Sequence, residues 1–103
     1  MACPPDAGIA EMARLLGVAM RHIDDAIARL GSDADEATAS ADAAIRSERQ
    51  LEHAYYDGMA ALLGVVDRSE RIARRELYRG CWRIGETVVE VAERVVYAVV
   101  KQS

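Results

Sequence analysis

Phenylalanine is absent from this chain of 103 residues, and tryptophan occurs once. With hydrophobic residues at 51%, the core must therefore be built largely from Ala, Val, Leu and Ile, and such side chains favour closely packed helices. Cysteine is scarce too. Cys3 and Cys81 stand in no C-x-x-C pair and cannot make a disulfide framework, so free thiols in a reduced compartment are expected. No stretch approaches the roughly 18 apolar residues of a membrane span, and residues 1–8 lack the basic and apolar regions of a secretory signal. A cytoplasmic protein, not embedded in a membrane, is the expectation. An excess of positive charge is missing as well: the net charge is −4 and the pI about 5.1, which argues against nucleic acid as a partner. Phosphate cradles of the G-x-x-x-x-G-K-[ST] kind and G-x-S-x-G nucleophile elbows are absent. No enzyme class announces itself, and the expectation is a non-enzymatic protein with no catalytic residues.

What is present is helical periodicity in a length that suits one domain with its own core. Ile9, Met12, Leu16, Met20, Ile23, Ile27 and Leu30 step by three or four, which predicts a first helix over about 7–30, starting after Pro4, Pro5 and Asp6 and stopped by Gly31 at C′. Asp33 with Glu36 three residues on reads as a capping box opening a second helix over about 34–63. The same device at Asp67 and Glu70 opens a third over about 68–101. Its apolar stripe is Leu77, Cys81, Ile84, Val88, Val91, Val95 and Val99, and Gly80 and Gly85 in its interior cost roughly 1 kcal/mol each and suggest a kink. Short connections make successive helices antiparallel. The fold class expected is all-α, an up-down-up three-helix bundle of long helices forming one domain, 1–103.

The most informative residue is Glu48. In the second helix Ala37, Ala41, Ala44, Ile45, Leu51, Tyr55, Met59 and Leu62 mark the inner face, and at about 100° per residue Glu48 falls in its middle. A carboxylate there must be paired, protonated or metal-bound, because an isolated ionised one costs too much to bury. Folding the second and third helices about residues 65–66 sets Glu48 level with Arg83 and Glu52 level with Arg79, which gives an ion-pair reading. A second reading takes Glu48-x-x-x-Glu52 and Glu86-x-x-x-Glu90 as facing carboxylate pairs. Glu48, Glu52, Glu86 and Glu90 are then candidate ligands for a hard divalent metal or iron. His22 and His53 lie off their apolar stripes and read as surface residues; neither has a Glu three residues before it, which disfavours a ferritin-like diiron site.

Charge is uneven. Residues 1–67 carry 5 basic and 12 acidic side chains and residues 68–103 carry 8 and 5, so the two parts are expected to attract. Arg68, Arg71, Arg75, Arg79 and Arg83 form a rough stripe where the macrodipole does not favour cations. Acidic residues of the first two helices, or an external anionic partner, are expected to balance them.

From Leu51 onward the chain resembles the PhoU-like family of phosphate-transport accessory proteins, particularly its phosphate transport regulator branch. Leu51-Glu52-His53-Ala54-Tyr55-Tyr56 is similar to that branch's L-E-H-x-x-D segment, and Arg74-Arg75-Glu76-Leu77-Tyr78 to its R-E-x-I-Y segment at the start of the third helix. Glu86 falls where the family has an acidic residue, and residues 91–101 are similar to its ending. The resemblance implies a helical bundle whose E(D)-x-x-x-D sequences bind metal, a role beside phosphate uptake or its signalling, and a transporter subunit as partner. Tyr56 and Trp82 depart from the pattern where acidic residues would stand. The family usually has two three-helix repeats, and this chain has the length of one. A rival resemblance, of Glu90-Val91-Ala92-Glu93-Arg94-Val95-Val96-Tyr97 to the second E-x-x-D segment of MazG-like nucleotide pyrophosphohydrolases, lacks the first E-x-x-E on an earlier helix. Finally, small side chains on long helices enclose little core, so a flank holding Tyr78, Trp82, Val89, Val96 and Val100 is expected to stay uncovered and to be closed in a homodimer.

Overall fold

Residues 7–102 are described by the computed structural model, and they form α1 (Ala7–Arg29), α2 (Ala34–Ala61), a 3-10 turn (Leu62–Gly64) and α3 (Arg68–Gln102). The three helices pack on one another without strands among the described residues, in a rod of 55 × 21 × 15 Å. The starts of α2 and α3 have a local cause. Asp33 Oδ1 accepts the Glu36 N–H at 3.1 Å, and Asp67 Oδ1 accepts the Glu70 N–H at 3.1 Å, satisfying amides that the first turn leaves without helical partners. Gly31, in contrast, does not act as a left-handed stop: no glycine among the described residues has a positive φ. Instead the Asp33 N–H donates to the Arg29 carbonyl at 2.8 Å and closes the turn. The prolines, Asp6 and Cys3 lie outside the described residues.

Side-chain size divides the core. Ala19 and Ala26 of α1, Ala37, Ala41 and Ala44 of α2, and Val88, Ala92 and Val95 of α3 fill one half. Met12 and Leu15, Leu51, Tyr55 and Leu62, and Tyr78 fill the other. Rising numbers in α1 meet falling numbers in α2, and α2 meets α3 in the same way, so the topology is up-down-up. Complete burial of Met12 and Leu51 contributes roughly 1.5–3 kcal/mol for each side chain. At Gly58 the Tyr78 ring of α3 lies directly against the α2 backbone: a Cβ there would lie 2.3 Å from the ring.

Two expectations need correcting. In α1 the inward positions are Met12, Leu15, Ala19 and Ala26, and Met20 and Ile27 are half exposed; in α3 Tyr78, Gly85, Val88, Ala92 and Val95 face inward, and Leu77 and Ile84 are half exposed. Small Ala and Gly residues occupy much of the inner faces, and these four larger residues stand at the edge. The flank expected to be bare is mostly covered: Tyr78 is buried, Trp82 and Val96 pack against the core, and only Val100 is widely exposed. α3 is unbroken through Gly80 and Gly85.

A buried carboxylate as candidate functional site

Glu48 is buried, with 6% of its surface exposed, beside Ser47 at 7%. Its neighbour across the interface is a glycine. A Cβ on Gly85 would lie 3.4 Å from Glu48 Cγ and 3.7 Å from Glu48 Oε2, with Leu51 alongside at 3.5 Å. A methyl group at 85 would thus sit at ordinary van der Waals distance from Glu48, and Gly85 marks the point of α3 that faces the carboxylate.

The expected ion pairs are not made: among the described residues neither Glu48 nor Glu52 pairs with Arg83 or Arg79. The reason is register: Gly85 rather than Arg83 stands against Glu48. Two residues turn a helix by about 200°, which places Arg83 on the outside. Arg79 lies 3.7 Å from Glu76, Arg74 bonds to Glu70 at 2.5 Å, and Arg71 donates to the Val65 carbonyl at 2.8 Å. The contacts of Arg71 and Arg79, the stripe members among these, are local to α3 and the turn before it.

Burial pushes the Glu48 carboxyl above the usual carboxylate range, and the charges of Glu52 and Glu86 push it further, against a smaller opposing effect of Arg49. No side-chain N or O atom among the described residues is sealed from solvent without a hydrogen bond. The Glu48 carboxylate has no such bond and therefore keeps an edge in contact with water. Of the four candidate ligands, Glu52 and Glu86 come near enough to Glu48 for their charges to act on it, whereas Glu90 lines a separate depression with Glu93, Arg94 and Tyr97. As placed, no three His, Cys, Asp or Glu side chains among the described residues converge to hold a metal ion. What the site does chemically is hold a proton more tightly than an ordinary glutamate.

Next to it lies a groove of about 320 Å³ lined by Tyr55, Arg79, Trp82, Arg83 and Glu86. Trp82 packs on Tyr55 at 4.4 Å and meets Tyr56 at 6.0 Å. The two positions that depart from the PhoU-like acidic pattern, Tyr56 and Trp82, thus build an aromatic cluster. Sequence reasoning missed Gly85 as the residue of α3 that faces Glu48. His53 is exposed and His22 half-buried, and burial raises the pKa of the half-buried Cys81 thiol.

Neither models of protein families, nor curated proteins, nor solved structures give a match to this chain. The class that the fold defines is the all-α three-helix bundle, and no helix of the described residues is long and apolar enough to cross a membrane.

Proposed function

We propose that this protein is a non-enzymatic accessory or regulatory protein of the PhoU-like kind, working in the cytoplasm as a homodimer and acting through protein contacts on a phosphate transporter subunit. The observation that carries the contact-based reading is the set of large apolar side chains gathered on the α1–α3 side of the bundle: Met20, Ile27, Leu77 and Ile84 are all about half exposed. Apolar surface of this kind on a bundle marks an interaction face. The phosphate role rests on the sequence resemblance of residues 51–101.

Two measurements test the reading. Phosphate uptake by cells lacking the protein is expected to change and to be restored by the wild-type chain; unchanged uptake in both phosphate-rich and phosphate-poor medium removes the phosphate role. Incubation of the purified protein with nucleoside triphosphates and Mg²⁺ is expected to release no pyrophosphate. Steady release overturns the non-enzymatic reading in favour of a pyrophosphohydrolase. Any cation site is reduced to Glu48, Glu52 and Glu86 after rearrangement, and elemental analysis against the Glu48→Gln, Glu52→Gln double variant decides it: metal in the wild type alone establishes the site, and equal, near-zero metal in both removes it.

A further inference from the structure

Met20 and Ile27 on α1 are 51% and 52% exposed, and Leu77 and Ile84 on α3 are 57% and 48% exposed. Within each helix the pair is seven residues apart, and Ala13 and Val91 continue the two rows at the same spacing. Seven-residue spacing keeps a row on one face and is the repeat by which helices seat on other helices. Between the rows runs a groove of about 240 Å³, with Ile23 and Val88 in its lining. Gly80 lies on this side of α3, and nothing stands within 4 Å of where its Cβ would be.

We infer that the α1–α3 face is the surface on which two copies of this chain pair, antiparallel, about a two-fold axis that crosses the helices near Met20 and Ile84. The inference rests on the homodimer reading above and adds the face and the arrangement. Area permits it: two adjacent helices over the length of α1 offer about 700 Å² per copy, close to the roughly 800 Å² of a standard interface. Charge favours a second copy as the occupant. Glu76 and Arg94 lie on the same flank of α3, nine residues either side of Gly85, so the two-fold sets Glu76 of each copy against Arg94 of the other, twice. A parallel pairing would leave them about 27 Å apart along the axis. Size agrees as well, because the antiparallel arrangement opposes Ala13 to Ile27 and Leu77 to Val91 and brings Met20 and Ile84 onto their own copies.

Sedimentation and light scattering across a concentration series test this on the full chain. The wild type is expected to dimerise at micromolar concentration. Gly80→Arg, whose side chain enters open space in a single copy, is expected to give monomer with unchanged helical circular dichroism. Glu76→Arg and Arg94→Glu are each expected to weaken the dimer about tenfold by setting like charges opposite, and the double reversal to return it to within about threefold of the wild type. A wild type that stays monomeric overturns both the homodimer reading and this face. A wild-type dimer untouched by Gly80→Arg overturns the α1–α3 face and leaves the homodimer reading standing. A dimer lost in Gly80→Arg but indifferent to the charge reversals overturns the antiparallel arrangement.

Discussion

Glu48 loses hydration on folding and gains no partner in return, so its cost to the fold depends on pH. The folded chain holds the proton more tightly than the unfolded chain, because burial and the charges of Glu52 and Glu86 raise the carboxyl's pKa. Between the ordinary carboxylate value and the raised one the folded state binds more protons, and this residue's contribution to stability falls as pH rises through that window. Glu48→Gln is therefore expected to be more stable than the wild type at pH 7, with the advantage shrinking as the pH drops below the ordinary carboxylate range; urea midpoints measured at several pH values give both. Glu48→Leu also fills the site with apolar surface and is expected to stabilise by about 1–3 kcal/mol at pH 7. A Glu48→Gln variant less stable than the wild type at neutral pH would show that the carboxylate is paired in solution. Gly58 makes the opposite case. Its Cβ would enter the Tyr78 ring, so Gly58→Ala is expected to lose about 1–3 kcal/mol in the same measurement despite the better helix propensity of alanine.

Each helix is specified by a different mixture of local and tertiary causes. α2 and α3 start where Asp33 and Asp67 accept amide N–H groups from the first turn, and these causes lie within four residues of sequence. Asp33→Ala and Asp67→Ala are each expected to cost about 1 kcal/mol, and the Asn replacements much less, by thermal unfolding. The inner face of α2 was legible because its apolar positions leave little choice of direction. α1 and α3 offer broader apolar arcs, and periodicity cannot say which edge of a broad arc is covered. Met20, Ile27, Leu77 and Ile84 consequently read as core in the sequence and stand half exposed in the fold.

The whole molecule is a rod 55 Å long with a radius of gyration of 16.4 Å, against about 13 Å for a compact chain of this size. Such a shape has much side and little end. Because Gly85 is the midpoint of α3, the antiparallel pairing about that level lays the two rods side by side. Small-angle scattering is expected to give a dimer scarcely longer than the single copy; a maximum dimension near twice the rod length would indicate end-to-end association instead.

The order and number of the helices, the start signals of α2 and α3 and the inward placement of Glu48 were determined by the sequence alone, because capping residues and a 3.6-residue period act over one or two turns. The partner of Glu48 was decided only by tertiary structure. A hairpin register set two residues further along than the turn near 65–66 suggests replaces Arg83 with Gly85, and no local pattern encodes that offset. The same holds for the four carboxylates, of which packing brings Glu52 and Glu86 within reach of Glu48 and sets Glu90 in a separate depression, and for the bare edge between α1 and α3. Which part of an apolar arc is buried depends on how closely small side chains let neighbouring helices approach, and that distance exists only once the bundle has formed.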